Sequence, residues 1–511
     1  MFDSPHVSLV DIVAIHARFR GGRTALICGD RAIDWRGLYD NIDRAAAAFA
    51  LAGVAAGDRV ALLLPNCIAA VEAMLGVLRC GGVIVPLSAF LKPDALAAMI
   101  DDSGAKLFVS AGALQPLARA AAGLTTGLDA LVGLDFSGEG WVPLAEVAEG
   151  APPLRPLVIG AGAAMNIIYS SGTTGVPKGI VHSHQTRIHG ALGLGMEFRI
   201  DSASVTLLAT PLYTNGTWMT WLPTLIAGGT CVILERYTAE DFLDAVAAHG
   251  GSHAFLVPTQ IRGILDAQAR SPRDLSSLRM IVSAGSPMPR PWKEEALGVF
   301  GGRLMELYGL TEGIGTTLRP EDMLAKPDSV GTPIGATDIR ILTDDDRIAP
   351  AGEIGEIVGY GAGLMIGYHN RPAATEEAIW RDERGRTFLR TGDIGRFDED
   401  GFLYILDRKK DMIVSGGVNV FAIDIEQVLH AHPQVADVAV VGAPHAKWVE
   451  APVAVVIPAA GAAPDPETLR AWANQRLAKH QQIDRVVLRT DDFPRNALGK
   501  VLKRELRAAL A

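Results

Sequence analysis

The stretch Tyr169-Ser170-Ser171-Gly172-Thr173-Thr174-Gly175-Val176-Pro177-Lys178-Gly179-Ile180 gathers residue types that suit one kind of chemistry. Glycines at 172, 175 and 179 let the backbone turn tightly and approach a ligand closely. Successive backbone N–H groups can then converge on an anion. Ser170, Ser171, Thr173 and Thr174 add rotatable donors, and Lys178 adds a compact positive charge. Together these make a cradle for a polyphosphate. The loop is not a Walker loop, because Lys178 lies between Pro177 and Gly179 rather than before a Ser or Thr that opens a helix. Pro177 also biases Val176 away from helical geometry. A loop rather than a helix N-terminus would therefore hold the phosphates. Ser/Thr/Gly loops are more often plain surface turns, so the reading needs support elsewhere in the chain.

Four further segments follow. Tyr308-Gly309-Leu310-Thr311-Glu312 offers an aromatic face for a purine and a carboxylate, a hard oxygen ligand for Mg²⁺. Thr391-Gly392-Asp393 offers an acceptor for vicinal ribose hydroxyls, although an Asx turn would use the same residues. Ser415-Gly416-Gly417-Val418-Asn419 is either a hairpin turn or a strip that a ligand can approach closely. Pro494-Arg495-Asn496-Ala497-Leu498-Gly499-Lys500 ends on a lysine. Each of these alone is ordinary turn chemistry.

The elements that would position these groups are those of an α/β chain. Val60–Leu64, Gly81–Leu87 and Thr230–Leu234 read as buried strands, and Ile68–Leu78 and Ala239–His249 have helical spacing. An apolar run at Asn166–Tyr169 reads as a strand feeding the loop. Such alternation argues for largely parallel sheets. Residues 138–163, rich in Gly, Pro and Ala, read as an irregular connection. After about residue 340, strand signals shorten and glycines cluster, as in a small β-rich region. The cluster Asp407-Arg408-Lys409-Lys410-Asp411 reads as a solvated turn or a hinge. Beyond it lies enough apolar pattern, at Val435–Val441 and Val453–Ile457, for a small domain.

The 511 residues carry a net charge of -10 and no long basic tract, which argues against a nucleic-acid partner. No apolar run approaches the roughly 18 residues of a spanning helix, and residues 1–10 do not read as a secretory signal. Four scattered cysteines, at 28, 67, 80 and 231, have no metal spacing and fit a reducing, cytoplasmic setting.

The loop, with the four segments in order, resembles the signatures of the adenylate-forming superfamily, which includes acyl-CoA synthetases, peptide-synthetase adenylation domains and beetle luciferases. The likeness covers residues 10 to 506. It implies a large N-terminal domain (1–409) of two α/β subdomains plus a distorted β-barrel, then a small mobile α+β C-terminal domain (410–511) hinged near Lys410. It implies ATP, Mg²⁺ and coenzyme A as cofactors. Ser170, Ser171, Gly172, Thr173, Thr174, Gly175 and Lys178 would grip the phosphates. Gly285, Ser286, Tyr308, Gly309 and Thr311 would hold adenine and the α-phosphate, with Glu312 on Mg²⁺ and Asp393 and Arg408 on the ribose. Lys500 would bridge the carboxylate and the α-phosphate, with Thr174 and Glu312 as its catalytic partners.

Within that family, the absence of a carboxylate in Tyr213-Thr214-Asn215-Gly216-Thr217-Trp218 argues against amino-acid activation. Lys500, Glu312 and Arg408 together argue against a non-catalytic relative. The resemblance lines the acid pocket with Tyr213, Thr214, Trp218, Val257, Ser283, Gly285, Gly309 and Ile314. No Arg or Lys is among them, which disfavours a second carboxylate and points to a fatty (medium- or long-chain) or aromatic monocarboxylic acid. Thr214 stands where many CoA ligases have histidine. Ser415, Gly416, Gly417, Trp448 and His480 are the CoA candidates, and the segment His480–Arg485 is poor in the usual phosphate contacts. The expected reaction is acid:CoA ligation through an acyl-adenylate, releasing pyrophosphate and then AMP. Transfer to a carrier protein or other acceptor is the alternative. A homodimer is common among relatives and is the assembly that the resemblance implies.

Overall fold

The computed structural model describes residues 6–155, 157–170, 178–409, 411–415, 418–445, 448–495 and 501–510. The chain divides into two compact units. The first comprises Met1–Pro327, Pro333–Asp338 and Tyr360–Ile379, and the second Asp328–Thr332, Ile339–Gly359 and Trp380–Ala511.

The first unit contains two sheets. In the larger, the strands Leu304–Gly309, Met280–Ser283, His253–Leu256, Val205–Leu208, Thr230–Ile233 and Thr24–Cys28 lie side by side in that order and all run parallel. Parallel neighbours need long crossovers. The helices Asn215–Ala227, Ala239–His249, Pro258–Arg270 and Arg290–Val299 supply them. Covered on both faces, the strands are continuous apolar runs rather than alternating ones, and His253–Leu256 and Met280–Ser283 are buried at every position. The second sheet has the order Gly367–Tyr368, Lys178–Ser183, Ala164–Ser170, Val83–Pro86, Arg59–Leu63, Ala105–Ser110, Ala130–Gly133 and Trp141–Pro143. Its three leading strands pair antiparallel and the rest parallel.

The expected strands and helices of this unit are present with shifts of a residue or two at their ends. Ala239–His249 is found over its predicted span. The connection at 138–163 is more ordered than its composition predicts. Trp141–Pro143 forms an edge strand and Leu144–Glu149 a short helix, because Trp141 is buried against Phe108 and Phe136 and anchors the segment.

The second unit contains two five-stranded sheets. In one, Gly355–Gly361, Thr387–Phe397 and Leu403–Arg408 pair antiparallel. The other is built on Val435–His445 and Val449–Pro458, and carries the helices Ala422–His430, Pro466–Asn474 and Lys503–Leu510. Its core includes Ile413, Ile425, Leu429, Val440, Val456 and Leu469. The charge cluster at 407–411 is not wholly a solvated turn. Asp407 and Arg408 end a strand, and the buried Asp407 carboxylate accepts from the backbone N–H of Ala422 (2.7 Å) and of Arg408 (2.7 Å). Burial raises the pKa of this carboxyl. Among the described residues, no helix is long and apolar enough to cross a membrane.

Candidate functional site

Ser170 ends one strand and Lys178 begins its antiparallel neighbour, and the two are paired in register. The helix His184–Glu197 starts only after that second strand. The predicted grip is therefore a connection between adjacent strands, without a helix opening behind it. Ser171, Gly172, Thr173, Thr174 and Gly175 lie outside the described residues, as do Lys410, Gly416, Gly417 and Lys500.

Lys178 lays its ammonium over the ring of Tyr368, 4.9 Å from the centroid. The hydroxyl of the same ring donates to Glu312 Oε1 at 2.9 Å. Burial, followed by the neighbouring carboxylate, pushes the phenol well above its ordinary range, so the hydroxyl stays a donor. Glu312 sits in the turn between the antiparallel strands Leu304–Gly309 and Gly315–Leu318, just past Tyr308, Gly309 and Thr311. Its carbonyl accepts from Met365 N (2.8 Å), which ties the turn to the segment carrying Tyr368. Gly313 in this turn has φ +108°, and a Cβ there would lie 1.9 Å from the carbonyl oxygen of Gly363. Only glycine fits that approach. Gly309 is similarly constrained, since a Cβ would lie 2.7 Å from the carbonyl oxygen of Ile314.

Several of the residues predicted to line the acid pocket lie at strand ends. Val257, Ser283 and Gly309 lie at the carboxyl ends of three adjacent parallel strands, with Leu256 paired to Ser283 and Ser283 to Glu306. Such ends are where open α/β sheets hold ligands. Gly285 follows with φ +100°, and Ser286 after it. Ile314 is buried on the adjoining turn. Tyr213, Thr214 and Trp218 belong to the start of the helix Asn215–Ala227. Thr214 Oγ1 is committed to the Pro211 carbonyl (2.9 Å) and to Thr217 Oγ1 (2.9 Å). Trp218 is fully buried, its indole N–H donating to the Leu212 carbonyl (2.7 Å) and its ring packed edge-on against Trp221. The hydroxyls of Tyr213 and Ser283 are sealed from solvent, and that of Ser283 has no hydrogen-bond partner among the described residues.

The sequence reading missed Arg187. Its Nε donates to Asn166 Oδ1 (2.7 Å), its Nη1 donates to Asn215 Oδ1 (2.8 Å), and its guanidinium stands 5.0 Å from the Trp218 ring centroid. Nη2 is buried and has no hydrogen-bond partner among the described residues. Burial lowers the guanidinium pKa to about 9 and, with the charge of Arg187, pushes the neighbouring His182 well below the usual histidine range. Arg187 thus joins the strand that leads into the grip to the helix that borders the acid pocket. Nothing local in the sequence signals this, because its partners lie 21 and 28 residues away.

In the second unit, Asp393 and Arg408 face each other on neighbouring strands, with Nε to Oδ1 at 3.2 Å. Asp393 is buried, and Gly392 beside it has φ +69°. Thr391, Gly392 and Asp393 lie within the strand Thr387–Phe397 rather than in a free turn. Ser415 pairs with Val418 in a hairpin and with Val449, the residue after Trp448. Trp448 is 44% exposed, and His480 is exposed on a short 3-10 turn. On either side of residues 496–500, Arg495 and Val501 form an antiparallel bridge.

The family model described as AMP-binding enzyme matches residues 13–369, and that described as AMP-binding enzyme C-terminal domain matches residues 424–500. The chain belongs to the AMP-binding enzyme family. Curated relatives in it are named CoA ligases, and the chain is accordingly an AMP-forming acid–thiol ligase with ATP, Mg²⁺ and CoA as cofactors. The chain is similar to the feruloyl-CoA synthase of Amycolatopsis sp, 33% identical with 96% of each chain covered. It is also similar to the fatty acid–[acyl-carrier-protein] ligase of Streptomyces coeruleorubidus, 30% identical over 98% of this chain and 96% of that one. Among solved structures, ATP-bound MatB from Rhodopseudomonas palustris superposes with a TM-score of 0.87 at 28% identity, covering 98% of each chain.

The donor set suits the family's metal. Mg²⁺ keeps most of its ligands as water and substrate phosphate and takes one or two protein carboxylates. Glu312, the predicted metal ligand, would supply one such carboxylate, and the Tyr368 hydroxyl donates to it. Among the described residues, no cluster of three His, Cys, Asp or Glu side chains forms a closed metal cage.

Proposed function

We propose that the chain is an ATP-dependent carboxylic acid:CoA ligase acting on an aromatic or fatty acid. The observation that carries the reading is the cluster of Lys178, Tyr368 and Glu312 beside the strand ends that bear Val257, Ser283 and Gly309. A phosphate-binding cation at the start of a strand of the second sheet then meets, through Tyr368, a metal-binding carboxylate at the tips of the larger sheet, whose helices line the acid pocket.

In the first step a carboxylate oxygen of the acid attacks the α-phosphorus of ATP. The bond to the bridging oxygen breaks, and pyrophosphate leaves with the electron pair. The chain's contribution is positioning and charge stabilisation. Lys178 and the grip hold the leaving phosphates, and Glu312 would hold Mg²⁺, whose charge would offset the negative charge on them. Lys500 bridges the carboxylate and the α-phosphate. Asp393, held by Arg408, accepts from the ribose hydroxyls. In the second step a thiol sulfur attacks the acyl carbon and AMP leaves. Ser415, the glycines after it and Trp448 receive the CoA arm, and a rotation of the C-terminal domain about Lys410 separates the two steps. We further infer a cytoplasmic homodimer, the former from four cysteines that remain free thiols and the latter from the habit of relatives.

A second acceptor is favoured by one specific observation. His480, Gln481 and Gln482 give the segment few phosphate-binding charges, and the chain is similar to a ligase named for an acyl carrier protein. A panel of aromatic and fatty acids, assayed for pyrophosphate release and for thioester with and without CoA, tests both. Acid-dependent release with thioester only when CoA is added supports the ligase. Release with no thioester shifts the reading to a carrier protein, and no release with any acid rejects acid activation.

A further inference from the structure

Tyr368 is carried on a two-residue strand that pairs antiparallel with Lys178–Ser183, opposite Ile180. Lys178 and Ile180 point to the same face of their strand, so Tyr368 is the diagonal neighbour of Lys178, within reach of a long side chain. Its backbone N–H donates to Thr375 Oγ1 (3.0 Å), which fixes the far side of the strand. The ring therefore meets the Lys178 ammonium on its face and the Glu312 carboxylate at its hydroxyl.

The two groups have opposite charge, and in a partly desolvated site such groups would pair directly. A lysine paired with a carboxylate is a poorer phosphate ligand, and a carboxylate paired with an ammonium is a poorer metal ligand. The ring gives the ammonium a softer partner that incoming phosphate can outcompete. The hydroxyl fixes the carboxylate without neutralising it, as outer partners of metal-binding carboxylates do.

We propose that Tyr368 is a positioning residue that keeps Lys178 and Glu312 from pairing, holding the first for phosphate and the second for Mg²⁺. The proposal rests on the nucleotide-binding reading above. Neither group is reached through local sequence: Tyr368 lies 56 residues from Glu312 along the chain.

Calorimetric ATP binding, in EDTA and across a Mg²⁺ titration, separates the parts. Tyr368→Phe keeps the ring and removes the hydroxyl. It should leave Mg²⁺-free ATP affinity unchanged and raise the Mg²⁺ concentration for half-effect about 10-fold. Tyr368→Leu should also lose Mg²⁺-free affinity, as Lys178 is drawn to Glu312. Adding Glu312→Gln to that variant should restore it. A purely structural role would lower the melting temperature and leave these ratios unmoved. An unchanged Mg²⁺ requirement in Tyr368→Phe overturns the proposal, as does failure of Glu312→Gln to restore binding in a folded Tyr368→Leu protein. Should Tyr368→Leu not fold, the Tyr368→Phe titration decides alone. A wild-type protein that binds no ATP overturns the nucleotide reading itself.

Discussion

Glu312 and Asp393 are both carboxylates assigned to one nucleotide, yet each is held differently. Glu312 is oriented by a neutral phenol hydroxyl. Asp393 is set against the guanidinium of Arg408 and is otherwise buried. A carboxylate held by a neutral donor keeps its charge for a divalent cation. One neutralised by a guanidinium has less field to offer a metal, but its oxygens still accept from sugar hydroxyls. On the proposed reading, the partner named for each carboxylate matches its role, Tyr368 for Glu312 and Arg408 for Asp393. Arg187 is a third case, a buried cation held, among the described residues, by two amide oxygens and an indole face.

The largest expected effect comes from Glu312→Gln. It keeps the hydrogen bond from Tyr368 and removes the charge, so acid-dependent pyrophosphate release should fall roughly 10²–10³-fold, about 2.7–4 kcal/mol. A loss below 10-fold would erase the contrast with Asp393.

Acid can blur such tests, and His253 sets where. It is buried, hydrogen-bonded to Ser252 Oγ (2.8 Å) and the Phe198 carbonyl (3.1 Å). Burial pushes its pKa down to about 4 from an ordinary 6.5. Between those values the unfolded chain binds more protons than the folded one. Stability from this group is therefore full above about pH 6.5 and is lost as the pH falls towards 4, about 3 kcal/mol in all. Urea midpoints at pH 7.5 and 4.5 should differ accordingly, and His253→Gln should narrow the gap. Kinetic comparisons accordingly belong at or above pH 7.

Asp393→Ala should raise the KM for ATP about 10-fold or more, the worth of lost hydrogen bonds to a charged group (about 1.5–3 kcal/mol). Stability should move by less than about 1 kcal/mol, because Arg408 is a third exposed and finds water. A fall in kcat with KM unchanged would assign Asp393 to the chemical step instead.

The smallest effect is expected at Arg187. In Arg187→Met the lost hydrogen bonds, about 1 kcal/mol each, are offset by relief of a desolvated charge. Chemical denaturation should show a net change within about 1 kcal/mol. A loss above about 3 kcal/mol would mean the charge is fully compensated in the fold.

The strands and helices of the first unit were legible because their apolar runs are continuous and their crossovers long. The segments 169–180, 308–312 and 391–393 were legible as ordered motifs of the family, which the family models bear out, while the roles of their residues remain proposals. What could not be read was contact across the topology. Tyr368 reaches Lys178 through a two-residue strand, too short to carry a periodic signal. Arg187 sits on a helix whose pattern gives no hint of the two asparagines it joins. Trp141 turned a Gly- and Pro-rich segment into an edge strand by burial alone, which composition does not encode.

The backbone contact at Gly313 is unequal on its two sides. A methyl group on Gly313 would strike the carbonyl of Gly363, whereas one on Gly363 would have its nearest neighbour, the carbonyl oxygen of Gly313, at 3.3 Å. The turn that presents Glu312 is therefore closed to a side chain at Gly313, and a Cβ at Gly363 would press on the same Gly313 carbonyl and be seated only by a shift of a few tenths of an ångström. For laboratory evolution this makes the turn a poor place to seek diversity through Gly313, and any substitution at Gly363 carries with it a small displacement of the segment that bears Glu312.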